Sequence, residues 1–353
     1  MKKVLYITNI EVPYRVKFFN QLAEKVDLTV LYERKKSTNR NNEWAKSEQN
    51  KYVAKYLHGI KIKNENSFSL GIIKEVFSKK YDEIIIGCYN SPVQIFAIML
   101  MKLFHKKYSI NLDGEPYIND SFKDKIKKII LRKADKYLVA GEKSAKSLQT
   151  IIQKDNIYPY YFSSLTQEEL EINKRKSTDS KRDNYIIVIG QYFDYKGLDL
   201  ALEIAKKTPK YNYKFIGMGN RTELFNEKVK EYEINNIELI PFLQKNELEK
   251  EYLSCKLLLL PSRQECWGLV INEAASYGTP IVSSRGSGSG VEFLEGTYSK
   301  YLYESNDIEK ACECIKEIME SKESNSYSQY LLDEASEYSI ERNVEEIVKA
   351  LEK

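Results

Sequence analysis

Histidine and cysteine are scarce in this 353-residue chain, at two and five residues. So few histidines leave little material for a zinc site, and Cys312 and Cys314, one residue apart, are too close for a metal knuckle. An odd cysteine count without framework spacing excludes a disulfide scaffold and points to a reducing cytosol. Long apolar runs are missing as well. The longest, Ile95 to Met101, falls far short of the roughly 20 residues that a membrane span needs. The opening Met-Lys-Lys-Val-Leu-Tyr-Ile-Thr-Asn-Ile-Glu turns polar too early for a signal peptide and offers no small-residue cleavage site. No Gly-x-Gly-x-x-Gly follows an early strand, which counts against a dinucleotide dehydrogenase; Gly286-Ser-Gly-Ser-Gly290 comes late. The expected setting is cytoplasmic.

The length suits two domains of roughly 150 to 170 residues each. A net charge of +4 hides an asymmetry. Met1 to Thr166 carries 30 Lys+Arg against 17 Asp+Glu, whereas the remainder carries 25 against 34. The acidic second half argues against a nucleic-acid partner, and the basic first half suggests an anionic partner on that side alone. The 27 tyrosines, beside abundant Lys, Asn and Ile, read as biased codon usage rather than a stacking surface.

Short apolar runs alternate with helical patterns through both halves. Strands are expected at Val4–Thr8, Leu28–Tyr32, Glu83–Gly87, Tyr108–Asn111 and Tyr137–Ala140, with a helix over Tyr14–Glu24. The alternation restarts at Tyr185–Ile189, Lys214–Gly217, Ile237–Ile240, Leu257–Pro261 and Pro280–Ser284. Such alternation predicts an α/β protein of two Rossmann-like parallel-sheet domains facing each other across a cleft, with ligand at the carboxyl ends of the strands. The expected division is a first domain over 1–166, a polar, charged linker over 167–183 and a second domain over 184–337. A last amphipathic helix, 338–353, is expected to pack back on the first domain.

The most telling stretch is Glu265-Cys-Trp-Gly-Leu-Val-Ile-Asn-Glu273, which follows the apolar run Leu257–Leu260. It reads as a strand, a tight loop and a helix from about Gly268 to Tyr277. Free backbone N–H groups and the positive end of the helix dipole then make a phosphate site. Glu265 stands in the loop before that site and Glu273 about two helical turns inside. One carboxylate can face a group attached to the phosphate while the other faces hydroxyls on its far side. After the strand at Tyr185–Ile189 comes Gly190-Gln-Tyr-Phe-Asp-Tyr-Lys196-Gly197, where glycine lets the chain turn and Lys196 offers a point charge. Gly217-Met-Gly219 closes another strand and would let a nucleotide approach the backbone.

Taken in order, Gly190 to Gly197, Gly217-Met-Gly219, Leu260-Pro-Ser-Arg-Gln-Glu265, Trp267-Gly268, Glu273-Ala, Gly278-Thr-Pro280 and Gly286 to Glu292 resemble the nucleotide-binding half of the family-4 retaining glycosyltransferases of GT-B fold. Val12-Pro-Tyr-Arg15 and Tyr161-Phe-Ser-Ser-Leu165 are similar to bacterial capsule and cell-surface polysaccharide members. The resemblance implies that Lys196 holds the donor diphosphate, Glu273 the ribose hydroxyls and Glu265 the hydroxyls of the transferred sugar. Gly190, Gln191, Gly217, Gly219, Trp267 and the backbone around Gly268, Leu269 and Val270 complete the implied donor site. Pro13, Tyr14 and Arg15 would stand on the acceptor side. A lysine and a helix N-terminus can stabilise a departing diphosphate without a metal, and no Asp-x-Asp motif stands where a GT-A enzyme would carry one. No cofactor is expected beyond a nucleotide diphosphate sugar as co-substrate, with uridine the family's commonest base.

The chain departs from the family pattern in three places. The arginine before the Lys-Gly pair is Gln191, and Arg15, Arg263 and Arg285 are candidates to replace its charge. The Gly-rich loop after the first strand is replaced by Asn9-Ile-Glu-Val-Pro-Tyr, and the histidine often found in the first half is not recognisable. Asp113, in Asn111-Leu-Asp-Gly-Glu115, is the candidate catalytic group on that side, against the competing reading of a turn aspartate. Basic Ser121–Ala134 reads as an amphipathic helix with Phe122, Ile126, Ile129, Ile130 and Ala134 on one face, and Lys123, Lys127, Lys128 and Arg132 elsewhere. It suits either a solvated helix over the core or peripheral contact with the anionic inner face of the cell membrane, where a lipid-linked glycan acceptor would be met. The resulting expectation is transfer of a sugar from a nucleotide donor to a glycan hydroxyl in surface polysaccharide synthesis. The alternatives are an inert GT-B subunit and another GT-B enzyme such as a sugar-nucleotide epimerase.

Overall fold

The computed structural model describes residues 1–35, 49–62, 67–114, 116, 122–178, 181–321 and 325–353. The chain divides into two compact units, Met1–Ser164 with Ile340–Lys353, and Leu165–Ser339. The first is built on β1 (Lys3–Thr8), β2 (Asp27–Tyr32), β3 (Val53–Tyr56), a small antiparallel pair β4 (Ile60–Lys61) and β5 (Ser67–Phe68), then β6 (Glu83–Ile86), β7 (Ser109–Leu112), β8 (Lys136–Ala140) and β9 (Ile157–Tyr160). Seven of these form one all-parallel sheet in the order β3-β2-β1-β6-β7-β8-β9. Central strands read as continuous apolar runs because helices cover both faces: Leu5, Ile7, Ile86, Ile110 and Val139 are wholly buried.

The second unit carries β10 (Tyr185–Ile189), β11 (Asn212–Ile216), β12 (Ile237–Ile240), β13 (Leu257–Leu260), β14 (Ile281–Ser284) and β15 (Leu302–Tyr303). They form a six-stranded parallel sheet in the order β12-β11-β10-β13-β14-β15. The order reverses between β10 and β13, so the loops leaving these two strands diverge and open a crevice at their carboxyl ends. Those loops carry Lys196 and Glu265.

Three edge elements escape the sequence pattern. β3 has one exposed and three half-buried residues, so no apolar alternation marks it. β9 contains Pro159, which an edge strand tolerates because one row of its N–H groups is unpaired. β15 is two residues long. Residues 167–183, expected to be a linker, include the helix Gln167–Thr178. Its charges are ordered for a helix, with Glu168 and Glu169 in the first turn and Arg175 and Lys176 in the last. Buried Asn173 ties it to the second unit by donating to Ser276 Oγ at 2.9 Å.

The last helix, Ile340–Glu352, belongs to the first unit and buries Val344, Ile347 and Leu351. Arg342 lies 3.9 Å over the Tyr161 ring and donates to its hydroxyl at 3.1 Å. Among the described residues no helix is long and apolar enough to cross a membrane.

Candidate active site

The site in the second unit is assembled by one close backbone approach. Gly197, at φ +66° between the Asp194–Lys196 turn and the helix Leu198–Lys207, lies so near the Pro261 carbonyl that an added Cβ would stand 2.0 Å from its oxygen. Glycine is therefore required there, and its presence lets the loop after β10 close onto the loop after β13. Lys196 Nζ consequently forms an ion pair with Glu265 Oε1. The other carboxylate oxygen, Oε2, accepts from the buried Ser262 hydroxyl at 2.9 Å. A carboxylate held at both oxygens is oriented rather than free to rotate.

The backbone of Glu265 is pinned too. Its N–H donates to Gly286 O at 2.7 Å and its carbonyl accepts from Gly288 N at 3.2 Å, forming a short bridge with the 286–288 strand end. Two serines then shape the start of the helix Leu269–Ser276. Ser287 Oγ donates to Trp267 O at 2.7 Å, and Ser289 Oγ donates to Trp267 O at 2.7 Å and Gly268 O at 2.9 Å. Gly268, at φ +103°, packs against both hydroxyls. With these carbonyls held inward, the N–H groups of Leu269 and Val270 stand at the helix N-terminus without an acceptor among the described residues. Such groups form an anion site.

Glu273 stands just over one turn into this helix, nearer the N-terminus than the expected two turns. Its Oε2 accepts from Tyr252 Oη at 2.8 Å. Burial, and then the carboxylate itself, push the Tyr252 phenol well above its ordinary range, so Tyr252 keeps its proton and acts as donor. Trp267, expected among the donor contacts, is 2% exposed, and its indole N–H bonds Asn272 Oδ1 at 2.8 Å. Its side chain belongs to the core, and only its backbone can contribute at the site.

In the first unit, Pro13 opens the helix Pro13–Ala23, followed by Tyr14 and Arg15. The buried Arg15 forms an ion pair with Asp113 Oδ1 and lies 5.1 Å over the Phe162 ring. The same oxygen accepts from Asn111 Nδ2 at 2.9 Å and Tyr160 Oη at 3.1 Å. Asp113 is thus anchored in a polar cluster at the carboxyl ends of β7 and β9. Asn9, in the loop replacing the expected glycines, accepts from Gln94 Nε2 at 2.9 Å, and Gln94 also donates to Glu33 at 2.6 Å. Glu115 and the side chain of Lys123 lie outside the described residues.

Ser262, Ser287, Ser289, Tyr252 and Tyr160 escaped the sequence reading. Serines and tyrosines are common surface residues, and the site partners of all but Ser262, which bonds Glu265 three positions on, lie 20 or more positions away. The glycine spacing of Gly286-Ser-Gly-Ser-Gly290 was the one available signal, since it packs that segment tightly beneath the 265–268 loop.

The family model described as glycosyl transferases group 1 matches residues 170–331, the segment that holds β10, β13, Lys196, Glu265 and Glu273. Residues 170–331 thus belong to the group 1 glycosyl transferases. A Haemophilus influenzae protein described as an uncharacterized glycosyltransferase is 26% identical over 271 residues, covering 72% of this chain and 71% of the relative. The amylovoran biosynthesis glycosyltransferase AmsD of Erwinia amylovora is 23% identical over 231 residues, 64% of each chain. The crystal structure of Anabaena Alr3699/HepE in complex with UDP-glucose superposes with a TM-score of 0.74 at 12% identity, covering all of both chains. The protein is therefore a glycosyltransferase of GT-B fold. Among the described residues of this glycosyltransferase, no group of three or more His, Cys, Asp or Glu side chains could hold a metal ion.

Proposed function

We propose that this glycosyltransferase transfers a sugar, with retention, from a UDP-sugar to a hydroxyl of a lipid-linked glycan in cell-surface polysaccharide synthesis. The observation that carries the reading is the Lys196–Glu265 pair, which stands with the Leu269–Ser276 helix N-terminus at the switch point of the second sheet. The amylovoran enzyme and the UDP-glucose complex among its relatives support the pathway and the base.

In this reading the donor diphosphate lies against Lys196 and the N–H groups of Leu269 and Val270. Glu273 accepts from the ribose hydroxyls, oriented by Tyr252, and Glu265 accepts from hydroxyls of the sugar. The bond between the anomeric carbon and the β-phosphate oxygen breaks as the acceptor oxygen bonds to that carbon on the same face. The acceptor proton passes to the departing diphosphate oxygen, leaving UDP and the glycoside. Positive charge fixed beside the leaving group favours the transition state over the ground state, because diphosphate charge grows as the bond breaks. Arg15 and Asp113 act on the acceptor side.

The basic first unit is the proposed membrane contact. Met99, Leu103, Phe104 and Ile129 are 59%, 70%, 58% and 64% exposed. Ile129 therefore leaves the apolar face expected for its helix, while Ile130 and Ala134 are buried. Lys102 Nζ ties the two helices together through the Ile129 and Ile130 carbonyls, at 2.5 and 2.8 Å. Exposed Lys125, Arg132 and Lys133 flank the apolar groups, with half-buried Lys127 and Lys128 behind. Anionic headgroups would meet the cations while the apolar side chains enter the interface. Flotation with phosphatidylglycerol vesicles should recover the protein, and equal recovery with neutral vesicles would remove this contact.

The donor reading is tested by thermal melting with UDP, GDP, ADP and CMP, each with and without EDTA. A ligand at a hundredfold excess over Kd contributes about 2.7 kcal/mol. UDP should raise the melting temperature with EDTA present, and Glu273→Ala should lose the shift. Equal shifts in wild type and Glu273→Ala would take Glu273 out of the site.

A further inference from the structure

We infer that Arg221 provides the guanidinium charge for the donor diphosphate that Gln191 does not. The inference rests on the donor-site reading above and deepens it. Gln191 stands where the family pattern has arginine, and the three arginines that could have replaced its charge are engaged elsewhere. Arg15 lies in the first unit on Asp113. Arg263 holds Asp199 through both carboxylate oxygens, at 2.6 and 2.5 Å, and also bonds Asp194 O. Arg285 faces Glu295 and Glu304 at 3.2 and 3.5 Å.

Arg221 differs from all three. It has no carboxylate partner among the described residues; its guanidinium donates to Tyr192 O at 3.3 Å and lies 4.8 Å over the Phe193 ring. It leaves the chain two residues after Gly219, whose added Cβ would meet Gln191 Nε2 at 3.2 Å. Gln191 is therefore pressed against the loop that carries Arg221, and Arg221 reaches back over the two residues that follow Gln191. The two positions occupy the ends of adjacent strands, β10 and β11. Phe193 stacks on Tyr195 at 5.6 Å and 6°, and Lys196 lies 5.8 Å over Tyr195. Two cations thus flank one aromatic pair in the loop after β10. A single exposed cation–π contact is weak, so the Arg221 head can move to an anion without breaking an ion pair. An arginine at position 191 would crowd Arg221 with like charge, which accounts for the neutral glutamine.

Calorimetric titration of UDP, uridine and inorganic pyrophosphate tests this on wild type, Arg221→Met, Arg221→Lys, Gln191→Arg, the Gln191→Arg/Arg221→Met double variant and Lys196→Met. Arg221→Met should weaken UDP and pyrophosphate about tenfold, the loss expected for one charged hydrogen bond, with uridine unchanged. The double variant should recover most of that loss, and Arg221→Lys should fall between wild type and Arg221→Met. UDP affinity unchanged in Arg221→Met but lost in Lys196→Met would overturn the inference while sparing the donor site. Loss in Arg221→Met without recovery in the double variant would overturn the exchange of charge between the two positions. A wild-type protein that binds neither UDP nor pyrophosphate, or a Lys196→Met variant that binds both normally, overturns the donor-site reading itself.

Discussion

Gly197→Ala is the sharpest test of how the site is held together, because Gly217→Ala provides its control. Both glycines have positive φ, +66° and +81°, so alanine is strained at each by about 1–2 kcal/mol. They differ in surroundings. No heavy atom lies within 4 Å of a Cβ at position 217, whereas at 197 the Pro261 oxygen lies at 2.0 Å and its carbon at 2.9 Å. That carbonyl would have to retreat by about 1.4 Å to reach ordinary contact at 3.4 Å. Overpacking of this kind costs about 1–3 kcal/mol, so Gly197→Ala should be less stable than Gly217→Ala by that amount. Urea unfolding in a Trp44→Phe background makes Trp267 the single indole, reporting on the second unit alone. Because Pro261 immediately precedes Ser262, the shift also separates Lys196 from Glu265 and should weaken UDP binding. Equal urea midpoints for the two alanine variants would refute the claim that this approach joins the two loops.

Three further outcomes follow from named contacts. Tyr252→Phe removes the donor that orients Glu273 and should weaken UDP about threefold, a fraction of the free energy of one hydrogen bond to a charged group, while 2′,3′-dideoxy-UDP binds as before; parallel losses for both nucleotides would detach Glu273 from the ribose. Arg182 donates to Tyr252 O, Cys255 O and Tyr277 O at 2.9, 2.9 and 2.7 Å. Arg182→Met should therefore cost about 3 kcal/mol or more in the urea unfolding of the second unit, and a loss near zero would mean that water satisfies those carbonyls. Burial raises the Glu33 carboxyl, opposed by the hydrogen bond from Gln94. A raised acid contributes stability that is complete below its unfolded value and lost as pH climbs through its folded one. Glu33→Gln keeps an oxygen for Gln94, so it should gain stability over wild type from pH 5 to 7. Melting curves that stay parallel across that range would contradict this.

Most of the parallel strands were legible because buried strands of such a sheet must be apolar throughout, and runs such as Leu257–Leu260 leave no helical alternative of adequate length. The edges were not. Val53–Tyr56 and Ile157–Tyr160 gain their strand conformation from a neighbour on one side, so their own residues carry little of the signal. The helix within 167–183 was hidden by its polarity, since its contact with the core runs through Leu170 and Asn173 rather than a broad apolar stripe.

The sequence by itself determined the inventory of the proposed donor site: two glutamates, a lysine and glycines in a fixed order, each in a loop or helix start whose place after a strand follows from hydrophobic periodicity. It also fixed the charge missing at Gln191, since residue identity needs no coordinates. The tertiary structure alone decided which groups meet. Lys196 and Glu265 are 69 positions apart, and the pairing of β10 with β13 brings their loops together. Arg15 reaches Asp113 across 98 positions, and Arg221 lies over Phe193 rather than beside a carboxylate. Spacing along a chain encodes periodic structure because helices and strands repeat locally; contacts between loops depend on sheet order, which is set by packing of the whole unit.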